Sequence, residues 1–554
     1  MPNVLCDCVS RRIAYEGLDG IIKLPYLSAS KCTEENSISY SIECILGKLN
    51  TSKGKYLFFC TESELIGTFE DVKYFRIVRV KYLSIGEAAN SDNEVLNVSN
   101  LIETLGFYYT FEEIEEHFLW NRVILKNFLD DMSESRFSSK LGDTDSNRFR
   151  NPEKQGFNVR SPFTMKISTN DEKQMDQSRI VMGKMFCGYF EMQTVRENGI
   201  LYFLKIQSKI SIKKIGTRML SRGIDETGSV SFFVETKFTI KSDKERSEFT
   251  ILRGSVPLYW SQYDPLKPHK IHLEKDLETN RKAFVRHFEK LSSRYGKIVV
   301  VDLLAGKKYE RELSKLYRKL CLENEISYIH FDLNNYTKDF EDLKRILHEK
   351  IAESLASINS QDSAQKAAFN PYSTLKLQRR FQDFNISSNG YSENILNSED
   401  SDDIAEPEKG SLFNKIKDDS DGSSDNMWEE PDSTSFTTPE YEKSMKLKNV
   451  DVHFRVNCMD CLDRTNICQY LLFSFTQPYN FKSIKTMWTN NGNALSNMYT
   501  GSNALKSELP SKGRISVFGM VNDFVISANR MINNKFTDKD KQNAIDLLLG
   551  KINN

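Results

Sequence analysis

The stretch VDVHFRVNCMDCLDRTNICQYLLFSF (450–475) decides how this chain is read. Val450 to Val456 alternates apolar and polar residues, as a strand does. From Thr465 on, TNICQYLLFSF reads as a buried helix. Between them lies Cys458-Met459-Asp460-Cys461-Leu462-Asp463-Arg464-Thr465, a Cys-x5-Arg-Thr loop. The spacing alone is weak, since Cys6 and Arg12 stand at the same interval with nothing else in place. The flanking strand and helix give it meaning. A loop entering a helix presents free backbone N–H groups and the positive end of the dipole, which together favour an anion. The same field lowers the pKa of a thiol placed there.

That loop holds the parts of a cysteine-dependent phosphatase. Cys458 is the candidate nucleophile and would form a phosphocysteine that water hydrolyses. The planar fork of Arg464 can grip two phosphate oxygens and stabilise charge on the transferring group. Thr465 can hydrogen-bond the leaving sulfur. Residues Met459, Asp460, Cys461, Leu462, Asp463, Arg464 and Thr465 form the candidate phosphate cradle. A general acid must protonate the leaving oxygen. Asp460 and Asp463 are the nearest candidates, with Asp463 favoured slightly because it adjoins Arg464. The chemistry requires no metal or other cofactor. The bland alternative is a pair of buried thiols, Cys458 and Cys461, between turn aspartates.

Upstream, KIVVVDLL (297–304) reads as a buried strand, ERELSKLYRKLCLENE (310–325) as a helix and ISYIHFDL (326–333) as a short strand. LEKDLETNRKAFVRHFEKLSSRYG (273–296) is helical in pattern. This alternation predicts an α/β unit with a partly parallel sheet. Before it come β-rich runs, GYFEMQTV, ILYFLKIQSKISI, SVSFFVETKFTI and EFTILRGSVPLYW, all within 188–260. The first 130 or so residues are also strand-rich, with KYLFFCTE (55–62) and YFRIVRVKYLSI (74–85). FEEIEEHFLWNRVILKNFLDDM (111–132) is spaced as an amphipathic helix. Residues 133–177 are polar and read as a loop. Residues 359–446 are dominated by Ser, Asp, Asn, Glu and Gln, and cannot bury enough apolar surface to offset their ordering entropy. They read as a disordered acidic insertion.

The 554 residues carry 76 Lys+Arg against 77 Asp+Glu, a net charge of −1. That balance hides a division. Residues 399–440 hold 14 Asp+Glu and 3 Lys+Arg, a local −11, so the remaining chain stands at +10. A basic body suits a polyanionic partner. No run approaches 18 apolar residues and no secretory leader is evident, so a cytoplasmic protein without a transmembrane segment is expected. Ten cysteines in so long a chain are too sparse for a disulfide scaffold. Neither Cys6–Cys8 nor Cys458–Cys461 has a matching pair at zinc-site spacing, so no metal site is predicted.

At this point the chain resembles the Sac-domain phosphoinositide phosphatases. Its RVNCMDCLDRTN (455–466) is close to their RTNCMDCLDRTN. IGTRMLSRGIDETGSVSFFVET (215–236), ILRGSVPLYWSQ (251–262), NNGNALSNMYTGSNALK (490–506) and NAIDLLLG (543–550) are similar to four further stretches of that family. The resemblance implies an α/β architecture, α+β overall. A β-rich N-terminal subdomain (1–180) would pack on an α/β catalytic subdomain (181–554) with a mixed sheet. It implies a ring phosphate of phosphatidylinositol as substrate: first the 4-phosphate, then the 3-phosphate or 3,5-bisphosphate. It also implies peripheral contact with an anionic membrane surface, on the cytosolic face of the endoplasmic reticulum or Golgi, with a recruiting protein partner open and no nucleic acid. Some members continue into a transmembrane pair or a second phosphatase domain; neither is expected here. Departures from the pattern include Val456 for Thr, Phe232 for Asn, Lys237 and Phe238 for Glu-Gln, Asn493 for Asp, and Ser502-Asn503 for Thr-Gly. They leave Cys458, Arg464 and both loop aspartates intact and bear on substrate preference. Two other readings remain: a non-catalytic phosphoinositide-binding scaffold, and a soluble inositol-phosphate or phosphotyrosine phosphatase.

Four features stand apart from that reading. Cys461 is a buried loop thiol or, less favoured, a redox partner of Cys458. Cys468 is a core residue, and His453 a satisfied sheet residue rather than a proton carrier. The basic clusters SKISIKK (208–214) and GTRMLSRG (216–223) read first as a solvated face, with lipid headgroups as the alternative.

Overall fold

The computed structural model describes residues 3–7, 12–17, 20–28, 38–85, 92–141, 180–218, 220–262, 270–306, 310–333, 340–367, 452–477, 479–504 and 538–551. Met1–Leu355 with Lys448–Asn554 make one compact unit, and Ala356–Leu447 a second. The first unit carries the sheets and the Cys-x5-Arg loop. The predicted linker beyond Leu141, the predicted insertion beyond Ala367 and the acidic run within it lie outside the described residues.

A four-stranded antiparallel sheet opens the chain, ordered β3 (Gly20–Ser28), β2 (Arg12–Gly17), β1 (Asn3–Asp7) and β4 (Ile38–Ser41). Among the described residues the main sheet has eleven strands. Its antiparallel part runs β5 (Cys44–Thr51), β6 (Gly54–Phe69), β7 (Val72–Ile85), β8 (Phe107–Thr110), β9 (Lys184–Glu197), β10 (Ile200–Ile210), β11 (Val234–Lys241) and β12 (Arg246–Arg253). A short hairpin follows, β13 (Trp260–Ser261) with β14 (His272–Leu273). The main sheet then turns parallel, in the spatial order β12, β17 (Val452–Asn457), β15 (Lys297–Asp302), β16 (Ser327–His330). The mixed α/β character predicted from the strand–helix alternation is present.

The two parts follow different sequence rules. β15, KIVVVD, is buried from Ile298 to Asp302 because helices cover both faces of a parallel sheet. Among those helices are α3 (Leu277–Tyr295) and α4 (Arg311–Glu323). Asp276 caps α3: its carboxylate accepts from Thr279 N at 2.9 Å and Thr279 Oγ1 at 2.6 Å. Ala283, Phe284, His287, Phe288, Leu291 and Tyr295 form its buried stripe. In contrast, β7 mixes exposed and buried positions, with Lys73, Arg76, Val78, Arg79 and Lys81 exposed and Ile77, Val80 and Ile85 buried, as antiparallel strands with a solvated face do.

Three boundaries differ from expectation. Helix α5 (Phe340–Ala367) carries its backbone through residues 359–367, the start of the predicted disordered insertion (359–446). The helix predicted over 111–132 begins only at Arg122 and continues to Leu141, so α2 (Arg122–Leu141) runs into the predicted loop. Tertiary hydrogen bonds outweigh helical spacing before Arg122. The Asn121 side chain donates to Leu46 O (2.9 Å) and Gly183 O (2.8 Å) and accepts from Met185 N (2.9 Å), while Trp120 N donates to Met185 O (2.8 Å). The run SVSFFVETKFTI is extended only from Val234. Phe232 sits at φ 50°, a left-handed conformation that asparagine tolerates far better than a bulky residue. Here Phe232 stacks on Tyr499 with centroids 4.1 Å apart, which offsets part of that strain.

The remaining helices are α1 (Asn93–Thr104), α5 (Phe340–Ala367), α6 (Asp463–Thr476), α7 (Lys482–Thr500) and α8 (Asp538–Leu548). Among the described residues no helix is long and apolar enough to cross a membrane.

Candidate active site

β17 and α6 lie where the sequence places a strand and a helix, with Cys458–Leu462 between them. The loop leaves the carboxyl end of β17, in a parallel part of the sheet, the usual place for ligand sites in α/β sheets. Neighbouring strand ends frame it: Arg253 of β12 stands opposite Val456, and Asp302 of β15 opposite Asn457. Asn457 Nδ2 donates to Asp302 Oδ1 at 2.8 Å. Leu462 precedes α6 with no side-chain cap, so the first turn's N–H groups are not taken up by a capping side chain. Cys461 adopts φ 55°, an uncommon conformation for a residue with a side chain and one that clusters at functional loops.

The loop is anchored in two hydrophobic clusters. Met459 packs with Leu252, Trp260, Phe284 and Tyr317. Cys461 and Leu462 join the large cluster built on β5–β9, α1, α7 and α8. Cys458 is 3% exposed, and Thr465 Oγ1 donates to its Sγ at 3.3 Å. Cys461 Sγ donates to Cys458 O at 3.5 Å, and burial pushes the Cys461 thiol up to about 12. Cys468 is fully buried in α6. His453 lies on β17 beside Tyr295, but its buried Nδ1 has no hydrogen-bond partner among the described residues, so it is not the satisfied sheet residue expected.

Asp460 is tightly held. Arg218 reaches it with Nε (3.0 Å to Oδ1) and Nη2 (2.6 Å to Oδ2), and Arg222 Nη2 adds a bond of 2.6 Å to Oδ1. Burial pushes this carboxyl up; the two guanidiniums outweigh burial and hold it well below the usual carboxylate range. Arg222 also donates to Met459 O (3.0 Å) and Gln262 Oε1 (2.8 Å). GTRMLSRG is therefore not simply a solvated face: Arg218 and Arg222 turn inward, and the Arg222 side chain is 3% exposed. Lys209 likewise pairs with buried Glu235 at 3.0 Å.

Arg464 does not point alone into the loop. Its Nη1 and Nη2 form a bidentate pair with Glu310 at 2.9 and 3.0 Å, and Nη1 also donates to Leu303 O at 2.9 Å. Asp463 opens α6. Beneath the loop lie two fully buried guanidiniums. Arg253 donates to Cys461 O (3.2 Å) and to the amide oxygens of Asn466 and Gln469. Arg455 donates to His287 Nε2 (3.1 Å), Tyr317 OH (3.1 Å), Asn457 Oδ1 (3.1 Å) and Ser255 O (2.7 Å). Burial lowers Arg253 to about 10, still protonated at neutral pH.

Sequence reasoning missed Glu310, Arg253 and Gln262 as neighbours of the loop. Arg253 and Gln262 both stood within view in ILRGSVPLYWSQ, but some 200 residues separate Arg253 from Cys461, and Gln262 meets the loop's surroundings only through Arg222, 40 residues away. Glu310 carries no local signal. Among the described residues no group of three or more His, Cys, Asp or Glu is arranged to hold a metal ion.

Comparison with known proteins extends these observations. A sequence model of the SacI homology domain matches residues 43–338. The chain is 30% identical over 378 residues to "Inositol-1,4,5-trisphosphate 5-phosphatase 1" of Schizosaccharomyces pombe, covering 65% of this chain and 27% of that protein. It is 25% identical over 530 residues to human "Synaptojanin-2", covering 91% and 28%. It is 25% identical over 556 residues to "Phosphoinositide phosphatase SAC7" of Arabidopsis thaliana, covering 93% and 76%. The chain thus spans about a quarter of the length of the first two relatives and three quarters of the third. With its Cys-x5-Arg loop held between a parallel strand and a helix, this chain belongs to the SacI homology domain family.

Proposed function

We propose that the chain is a phosphoinositide phosphatase that removes a ring phosphate from phosphatidylinositol phosphates through a phosphocysteine. The observation that carries this reading is the Thr465 hydroxyl on the Cys458 sulfur, at the mouth of a helix whose first turn lacks a side-chain cap. The relatives named as phosphoinositide phosphatases support the substrate class.

In the proposed reaction, Cys458 Sγ attacks phosphorus as the P–O bond to the inositol ring breaks. Asp463 gives the departing oxygen its proton. Asp460 serves as a loop clasp, because its ion pairs keep it ionised and leave it no proton to give. Water then attacks phosphorus, Asp463 takes a proton back, and the S–P bond breaks with Thr465 bonding the departing sulfur. Arg464 grips the equatorial oxygens after exchanging at least part of its Glu310 contact for phosphate. The 4-phosphate is the first expected target, with the 3-phosphate and 3,5-bisphosphate following. Residues 181–554 supply the catalytic part and residues 1–180 the β-rich N-terminal part. The enzyme works peripherally on the cytosolic face of an endomembrane.

The deciding experiment is phosphate release across all phosphoinositides, with Cys458→Ser as control. Turnover by the wild type and none by Cys458→Ser is expected. Equal, slow release by both would reduce the chain to a lipid-binding scaffold. Faster turnover of phosphotyrosine peptide or free inositol phosphate than of vesicles would make it a soluble phosphatase.

A further inference from the structure

Leu220 is 51% exposed. Single exposed apolar residues are ordinary, and Leu65 and Leu322 are as exposed as this one. Leu220 differs in where it stands. It closes a turn in which Leu220 N and Ser221 N both donate to Thr217 O, at 3.2 and 2.9 Å. That turn is tied down on several sides. Thr217 N donates to Gln542 Oε1 (2.8 Å), Ser221 Oγ to Lys214 O (2.9 Å), and Tyr499 OH to Ser221 O (3.1 Å). Its Arg218 grips Asp460 inside the catalytic loop. Leu65 lies on β6, and Leu322 at the end of α4 away from Glu310. Leu220 thus leaves apolar surface in water at a pinned turn whose Arg218 holds the Cys-x5-Arg loop. Just before the turn, Lys213 is exposed and Lys214 half-buried, and neither has a carboxylate partner among the described residues.

We infer that Lys213–Arg218, with Leu220 and Ser221, is the membrane-contact edge of the active site: Leu220 enters the headgroup–acyl boundary of an anionic bilayer while Lys213 and Lys214 lie on the headgroups. An apolar tip flanked by cations is the pattern that binds such a surface. Because Arg218 joins the same turn to Asp460, inserting Leu220 brings the loop down onto a ring phosphate that stays attached to its lipid. The inference rests on the phosphoinositide reading for its substrate, but its binding arm does not.

The test uses the full chain with two substrate forms: a short-chain soluble phosphoinositide, and the long-chain lipid in phosphatidylcholine vesicles containing about one-fifth phosphatidylserine. Leu220→Asp should cut turnover on vesicles about tenfold, the order expected when a leucine side chain stays in water. Turnover of the soluble form should change less than about twofold. The pair Lys213→Glu and Lys214→Glu should lower vesicle turnover most at low salt, since the bilayer attraction is screened. Leu220→Trp should keep or raise it. Equal turnover by wild type and Leu220→Asp on vesicles would overturn the inference, as would an equal loss on both substrate forms. Vesicle sedimentation is the second measurement. Leu220→Asp should weaken binding whether or not any phosphate is released, so failure of the phosphatase reading and failure of this one are separable.

Discussion

Two arginine pairs flank the Cys-x5-Arg loop, and their charges are answered in opposite ways. On the outer side Arg218 and Arg222 share the Asp460 carboxylate. On the inner side Arg253 and Arg455 are fully buried, and their partners among the described residues are carbonyl oxygens, amides, an imidazole and a phenol, all uncharged. A buried cation with only neutral acceptors is costly unless an anion arrives to answer it. The outer pair therefore serves architecture, closing the loop by ion pairing. The inner pair leaves uncompensated positive potential beneath the place where a phosphoryl group would sit. His287 fits this account, since burial and the neighbouring Arg455 push its pKa well down and leave it a neutral acceptor.

The difference can be broken from the outside first. Asp460→Asn removes the carboxylate shared by Arg218 and Arg222. It should destabilise the fold by about 3 kcal/mol, as breaking a buried pair does, read from the denaturant midpoint. Asp460 has a depressed folded-state pKa, so its contribution is present above the unfolded carboxyl value of about 3.9 and is lost as pH falls below it. The gap between wild type and Asp460→Asn should stay flat from neutral pH down to about pH 4.5 and shrink only in stronger acid. A gap that shrinks between about pH 7 and 5 would mean that Asp460 is not held ionised.

From the inside, Arg253→Met should leave the outer clasp whole but remove positive potential. Turnover should drop about a hundredfold, the scale seen when one preorganised donor is lost. Arg253→Lys should recover part of it. If Arg253→Met costs stability but no turnover once folded, the inner pair is structural like the outer.

Glu310 tests the one arginine that belongs to both classes. Arg464 is paired with Glu310 and, in the proposed reaction, meets phosphate later. Glu310→Gln should tighten competitive inhibition by inorganic phosphate about fivefold, because a charge-assisted rival is gone. A weaker grip on phosphate in that variant would recast Glu310 as a support that aims Arg464. The smallest effect should come from Tyr499→Phe. It keeps the ring stacked on Phe232 and deletes only the hydrogen bond to Ser221 O, worth about 1 kcal/mol. Thermal unfolding checks it.

The part of the site that could be read in advance is contiguous. Strand, loop and helix follow one another over 452–476, so periodicity and the Cys-to-Arg interval were enough to place Cys458, Arg464 and Thr465 together between a strand and a helix. β15, α4 and β16 were equally plain, because strands of a parallel sheet are buried on both faces and read as unbroken apolar runs. What escaped depends on distance along the chain. Arg218 and Arg222 are 242 and 238 positions from Asp460, and nothing in a run of basic residues says that it faces inward. Glu310 is 154 positions from Arg464. The start of α2 was misplaced for a related reason: the amide of Asn121 is bonded to Leu46, Gly183 and Met185, residues that a helical pattern cannot anticipate.

The placing of β17 has a consequence for how the protein is made. β12 and β15 come off the ribosome some 150 residues or more before the strand that separates them. Until residue 452 emerges, each offers an unpaired edge, the kind of surface that recruits other strands. Cys458, the proposed nucleophile, is six positions further on, so a chain cut short before it lacks that thiol. A chain interrupted before β17 would be a species prone to self-association, and its cost to the cell would lie in chaperone demand more than in missing turnover.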